Sequence, residues 1–171
     1  MLPEVESYLE RIEDVRGQVV QLITGLSAEA LNWRPVESED DHVTNSLAVM
    51  ASHVAGAEHF WIHEVVGRNP PTRQRDQEFV TVVDNPARLL DKLNTVADET
   101  RQVFSTLTDE NLNSTRYVRE RTVPVRWAIL HVIDHTSLHL GHMQITWQLW
   151  HSGQAFDAPR WFQRLKGQET G

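Results

Sequence analysis

The sequence predicts an all-α protein: one domain over residues 1–171, built as a four-helix bundle with short helical decorations. Three observations carry that expectation. Four long segments repeat apolar residues at the helical period, and Gly, Pro and Asn signals separate them. The one stretch suited to extended chain is too short to form a sheet alone. A length of 171 residues suits one well-packed domain and is short for two.

Pro3 fits the first turn of a helix, and Val5, Leu9, Ile12, Val19, Val20 and Ile23 continue it to Gly25. A short capped turn over 27–31 follows, ended by Trp33-Arg34-Pro35, and the polar stretch from Glu37 to Asp41 reads as a loop. The second long helix starts near Asn45 or Ser46 and runs towards Gly67. Leu47, Met50, Val54, Ala57, Phe60 or Trp61, and Val65 describe its buried arc, and His53 falls inside it. Residues 68–84 form a long link in which Phe79, Val80, Val82 and Val83 offer packing. Asn85 as cap and Pro86 as first residue begin the third helix, which ends near Leu107. Residues 108–113 echo the earlier capped turn, and residues 114–123 suit extended chain. Pro124 begins the last long helix, where Trp127, His131, His135, Leu138, His139, His142, Ile145 and Leu149 share one arc.

Composition narrows the function. A formal charge of −8, with no dense Lys/Arg stripe, disfavours nucleic acid as partner. The chain has no cysteine, so disulfides, thiolate ligands and a cysteine nucleophile of its own are excluded. A thiol brought in as substrate is not. No signal peptide and no apolar stretch of membrane-spanning length are visible, so the expected location is cytoplasmic.

His135 and His139 lie one turn apart on a helical face, a natural pair of metal ligands, and His53 faces inward on another helix. Three neutral imidazoles suit a divalent transition metal. Buried, hydrogen-bonded histidines are the competing explanation. His142, one turn beyond His139, is a candidate pocket residue, proton shuttle or fourth ligand, and His131 a packing residue. His59 and His63, with Glu64 nearby, form a rival pair. Glu58 and Asp134 read first as solvated acids, with orientation of a ligand's outer nitrogen as the alternative. Arg34, on the rigid Trp33-Arg34-Pro35 turn, is placed to meet an anionic substrate group, or is simply exposed beside a tryptophan plug. No Gly-rich phosphate loop, nucleophile elbow or His-Glu-x-x-His motif is present.

Taken together, Leu31-Asn32-Trp33-Arg34-Pro35, the segment from Ser52 to Glu58, and the run from His131 to His142 resemble the DinB/YfiT-like superfamily of metal-dependent enzymes. The resemblance spans nearly the whole chain. It implies an up-down-down-up bundle, often dimeric, with a divalent ion on His53, His135 and His139. Zinc is the first expectation and nickel the second. The family often continues its last ligand as His-Arg-Gly-Gln, whereas this chain reads His139-Leu140-Gly141-His142. That change leaves the ligands intact and loosens any inherited substrate preference.

The resemblance further implies transfer to or from a low-molecular-weight thiol, with a small electrophile as the other substrate. Hydrolysis of a small molecule can use the same ligands. A non-enzymatic, metal-stabilised interaction or stress-response module is the third reading. There Leu130 and Ile133, on the far side of the last helix, would cover a homodimer interface.

Overall fold

Leu2 and Pro3 open α1, Pro3–Ile23, with proline where a helix needs no amide donor. Val5, Ile12, Val15, Val19, Leu22 and Ile23 are its buried stripe, and Gly25 at φ +78° turns the chain away. The short α2, Ala28–Asn32, is capped by Ser27, whose hydroxyl accepts from the Ala30 amide at 3.2 Å. The computed structural model describes residues 1–36, 44–160 and 163–164. The loop expected from Glu37 to Asp41 lies outside the described residues.

Ser46 caps α3, Leu47–Glu58, by accepting from the Val49 amide at 3.2 Å. Every residue from Leu47 to Glu58 is buried, so the single buried arc expected of this helix is too narrow. A helix apolar all round is one covered on every side, and here the two later long helices, Ala87–Ser105 and Val125–Trp150, and a short extra helix supply the cover. The same rod continues as a π-helical segment, His59–Val66, ending where the Gly67 amide donates to Ile62 O at 2.9 Å. Residues 68–84 are not a plain link. They contain α4, Arg75–Phe79, which packs on α3; Val83 is buried, whereas Val80 and Val82 stand exposed.

The third long helix is α5, Ala87–Ser105, where the Asn85 side chain accepts from the Ala87 amide at 2.9 Å. A Thr108/Asn111 capping box then starts α6, Asp109–Leu112. The stretch expected to be at most extended folds back on itself. β1, Thr115–Val118, pairs antiparallel with β2, Arg121–Pro124, through a tight turn with positive φ at Arg119 and Glu120. The pair gains its anchorage from Arg116, whose buried guanidinium donates to the Val65 and Val66 carbonyls at 3.2 Å and so closes the open end of the π segment. Pro124 ends β2 and caps α7, Val125–Trp150, rather than lying inside it.

Among the described residues, two apolar clusters fill the interior. One joins the C-terminal part of α1 (Val19, Leu22) to the starts of α3 and α5 and to Leu140 and Met143 of α7. The other joins Val5 and Ile12 to Ile62, Phe104, Val125 and Ile129. Arg126 donates to both oxygens of Glu4, tying the first turns of α1 and α7 together. Between the two clusters, His53 on α3 faces the middle of α7.

Candidate metal centre

His53 sits two turns into α3, and His135 and His139 occupy successive turns of α7. The Nε2 atoms of His53 and His135 are 3.1 Å apart. The His53 ring centroid lies 4.9 Å from each of the other two, and those two are 4.5 Å apart. One nitrogen from each residue falls within 4.8 Å of the others. The sequence-expected trio is therefore brought together.

An acidic residue fixes one member of the trio. Glu78 Oε2, from α4, lies 2.8 Å from His53 Nδ1. Arg73 donates to both Glu78 oxygens, Nε to Oε1 at 2.7 Å and an outer nitrogen to Oε2 at 2.8 Å. Burial pushes the Glu78 carboxyl up, but the hydrogen bonds from Arg73 and His53 outweigh it and hold its pKa below the usual range. An ionised carboxylate only accepts, so His53 Nδ1 carries a proton, and its Nε2 is the nitrogen turned towards His135. Gly56 makes this approach possible: a β-carbon there would lie 2.0 Å from Glu78 Oε1.

His135 and His139 are half-buried on α7. Desolvation lowers the His135 pKa to about 3, with His139, His53 and His131 adding repulsion. Desolvation likewise lowers His139 to about 4, helped by His53 and His142. Both rings are thus neutral near pH 7, the state in which imidazole can ligate. Nδ1 of each is buried without a hydrogen-bond partner among the described residues, and an unpaired buried polar group costs roughly 1–3 kcal/mol. Two imidazole nitrogens on one tetrahedral zinc ion lie roughly 3.3 Å apart, close to the 3.1 Å found here. Neutral donors and matched spacing fit a divalent cation.

The remaining sequence candidates divide. His142 is exposed, with its ring edge-on to His139 at 5.8 Å. His131 stacks on Trp127 at 4.8 Å and touches Trp61, so it belongs to an aromatic wall beside His135. Trp33 packs on Trp150 at the end of α7, and the half-buried Arg34 makes no ion pair with a described residue. His59 contacts Glu99 at 2.6 Å and Thr72 at 2.8 Å and stacks on His63, apart from the central trio. Glu64 accepts from the Thr72 and Arg73 amides, pinning the loop that carries Arg73.

Of the two acids, Glu58 fits neither reading made of it, and Asp134 follows the solvated one. Glu58 does not orient a histidine: it is buried with Arg16 and accepts from Thr100 at 2.7 Å, bracing α3 against α1 and α5. Asp134 is exposed and acts on His131, whose pKa burial lowers and Asp134 raises. The arc drawn on α7 is also shifted. Trp127, Leu138, Ile145 and Leu149 are about half exposed, and the buried line runs through Ala128, Val132, Thr136 and Met143. The histidines sit at the border between these faces.

Sequence reasoning missed Glu78, Arg73 and Gly56. The available signal was Glu78 beside Phe79 in a short helical stretch between Pro71 and Pro86. Phe79 packs its ring 4.9 Å from His53.

The DinB superfamily model matches residues 11–143. The chain is 24% identical over 162 residues to the uncharacterized protein YkkA of Bacillus subtilis (strain 168), covering 88% of this chain and 90% of that one. A crystal structure of a conserved protein from Enterococcus faecalis superposes with a TM-score of 0.72 at 14% identity, covering 89% of this chain and 99% of the other. That likeness is one of fold. With the family model spanning most of its length, this chain belongs to the DinB superfamily.

Proposed function

We propose that the protein is a divalent-metal-dependent enzyme that joins a low-molecular-weight thiol to a small electrophilic substrate. The observation that carries the metal assignment is the convergence of His53, His135 and His139, with His53 held by Glu78. Zinc suits the all-imidazole set first and nickel second. Bound there, a divalent ion supplies Lewis acidity that favours the deprotonated form of a thiol or of water.

The chain's own residues set the conditions. Glu78 locks the His53 tautomer, and the neutral His135 and His139 keep their lone pairs available. Both are half-buried rather than sealed, which favours an open position over a closed structural site. Without a cysteine, the nucleophilic sulfur must come from outside. We assign His142, exposed beside His139, to proton exchange at its imidazole, and Arg34 to an anionic group of the substrate. The resemblance stated above supports the thiol.

Hydrolysis is the second enzymatic reading, favoured by the same solvent-facing histidines. The exposed stripe Trp127, Leu138, Ile145 and Leu149 on α7 favours a third, a metal-stabilised homodimeric interaction module. The way opposite ends of the helices share each apolar cluster supports an up-down-down-up bundle. No helix among the described residues is long and apolar enough to cross a membrane, and we place the protein in the cytoplasm with small-molecule partners.

Metal-loaded protein incubated with small electrophiles, with and without cellular thiols, tests the reaction class. Thiol-dependent consumption that falls in Arg34→Ala, and whose pH profile shifts in His142→Gln at unchanged metal content, is expected. Thiol-independent turnover that consumes water would replace transfer by hydrolysis, and no turnover would favour the interaction module.

A further inference from the structure

A cavity of about 640 Å³ opens between α3, α5 and residues 72–83, within the size range of small-molecule sites. His53, His135 and His139 do not line it; Glu78 and Arg73 form the partition. The acids on its wall are already matched. Glu78 serves Arg73 and His53, and Glu99 lies 2.6 Å from His59 Nδ1. Two cations on α5, Arg88 and Lys92, have no ion-pair partner among the described residues. Lys92 Nζ donates to Ser52 Oγ at 2.9 Å and to Ser52 O at 3.3 Å, which leaves one of its three donors unused. This is a locally positive hollow on a protein of net charge −8.

Apolar side chains stand among the polar ones of the lining. Val80 and Val82 are 67% and 72% exposed, yet both face the cavity rim. They are held there because Val83 is clamped to α2: its amide donates to Asn32 Oδ1 at 3.0 Å and its carbonyl accepts from Asn32 Nδ2 at 2.7 Å. Val96 and Leu89 continue the apolar lining.

We propose that this cavity binds a small organic anion with a hydrocarbon body, such as a short-chain carboxylate. Lys92 and Arg88 take the anionic group, and Val80, Val82 and Val96 cover the chain. Lys92 is exposed as a residue, but partial desolvation against the cavity wall lowers its pKa more than Glu78 raises it, and a counter-anion relieves that desolvation. The site rests on its own residues and does not depend on the metal assignment.

Hexanoate titrated into the full-length protein, followed by methyl NMR, tests the proposal. Saturable shifts at Val80, Val82 and Val96 are expected, with affinity reduced at least tenfold in Lys92→Met and in Arg88→Met and unchanged in His135→Ala. Both cations lie on the surface, so the variants should fold, which the undisturbed spectrum elsewhere verifies. Equal affinity for hexanol would remove the anion, and equal affinity for inorganic phosphate would remove the hydrocarbon. Shifts confined to Leu138, Ile145 and Leu149, loss of binding in His135→Ala, or no saturable shift would each overturn the site.

Discussion

Glu78 and His53 meet at 2.8 Å across the contact between α4 and α3, and this pairing decides which nitrogen of His53 is free. A carboxylate behind a ligating histidine raises its basicity and holds its ring in place. Glu78→Gln keeps the shape but removes the charge and leaves Arg73 unmatched. The expected outcome is a metal affinity weaker by roughly tenfold to a hundredfold, measured by chelator competition on folded protein. Unchanged affinity would show that Glu78 serves only to dock α4.

Gly56 offers an independent probe of the same contact. The overlapping atom is the end of a side chain, but one fixed by Arg73 and His53, so it moves only by giving up those bonds. Gly56→Ala should therefore cost about 1–3 kcal/mol of stability and weaken metal binding as well. Denaturant midpoints and the same competition assay measure both. A stabilised variant with normal affinity would mean that α4 yields freely.

Glu58 should behave differently from Glu78 despite its place on the ligand-bearing helix. Glu58→Ala leaves the buried Arg16 with only the more distant Glu13, at 3.9 Å, and removes an acceptor for Thr100. Breaking a buried pair in this way costs about 3–5 kcal/mol. Chemical denaturation should register that loss, while folded protein keeps its metal stoichiometry.

Acid should destabilise the metal-free protein well above the carboxylate range. The unfolded chain protonates its histidines near 6.5, whereas His135 and His139 in the folded protein wait until about 3 and 4. Between those values the unfolded state binds more protons, so stability is complete above about pH 6.5 and falls as pH drops through the window. Glu78, held below its usual value, adds to the loss further down. Denaturant midpoints from pH 7 to 4 should fall less steeply in His135→Gln than in wild type. Parallel slopes would contradict the assignment.

Much of this was legible from residue spacing. The long helices, the Ser27 and Thr108 caps and the His53, His135, His139 trio follow from local periodicity and capping chemistry, which a single chain displays directly. What escaped was set by tertiary contact. Phe79 beside it is the one local cue to Glu78, whose burial is set by Arg73 and His53 and so arises only once α4 docks. Arg116, in a four-residue strand, gains meaning only from the open carbonyls of Val65 and Val66. The exposure of Trp127, Leu138 and Ile145 was hidden because an apolar stripe reads alike whether it faces the core or solvent.

The central claim is that three histidines hold one divalent ion. Elemental analysis of protein purified without a nickel column, run with His53→Ala, His135→Ala, His139→Ala and the control Glu58→Gln, tests it most directly. One ion per chain is expected in wild type and control, with substoichiometric metal in each histidine variant. Equal metal in all five proteins, or none in wild type after incubation with zinc or nickel, would contradict it.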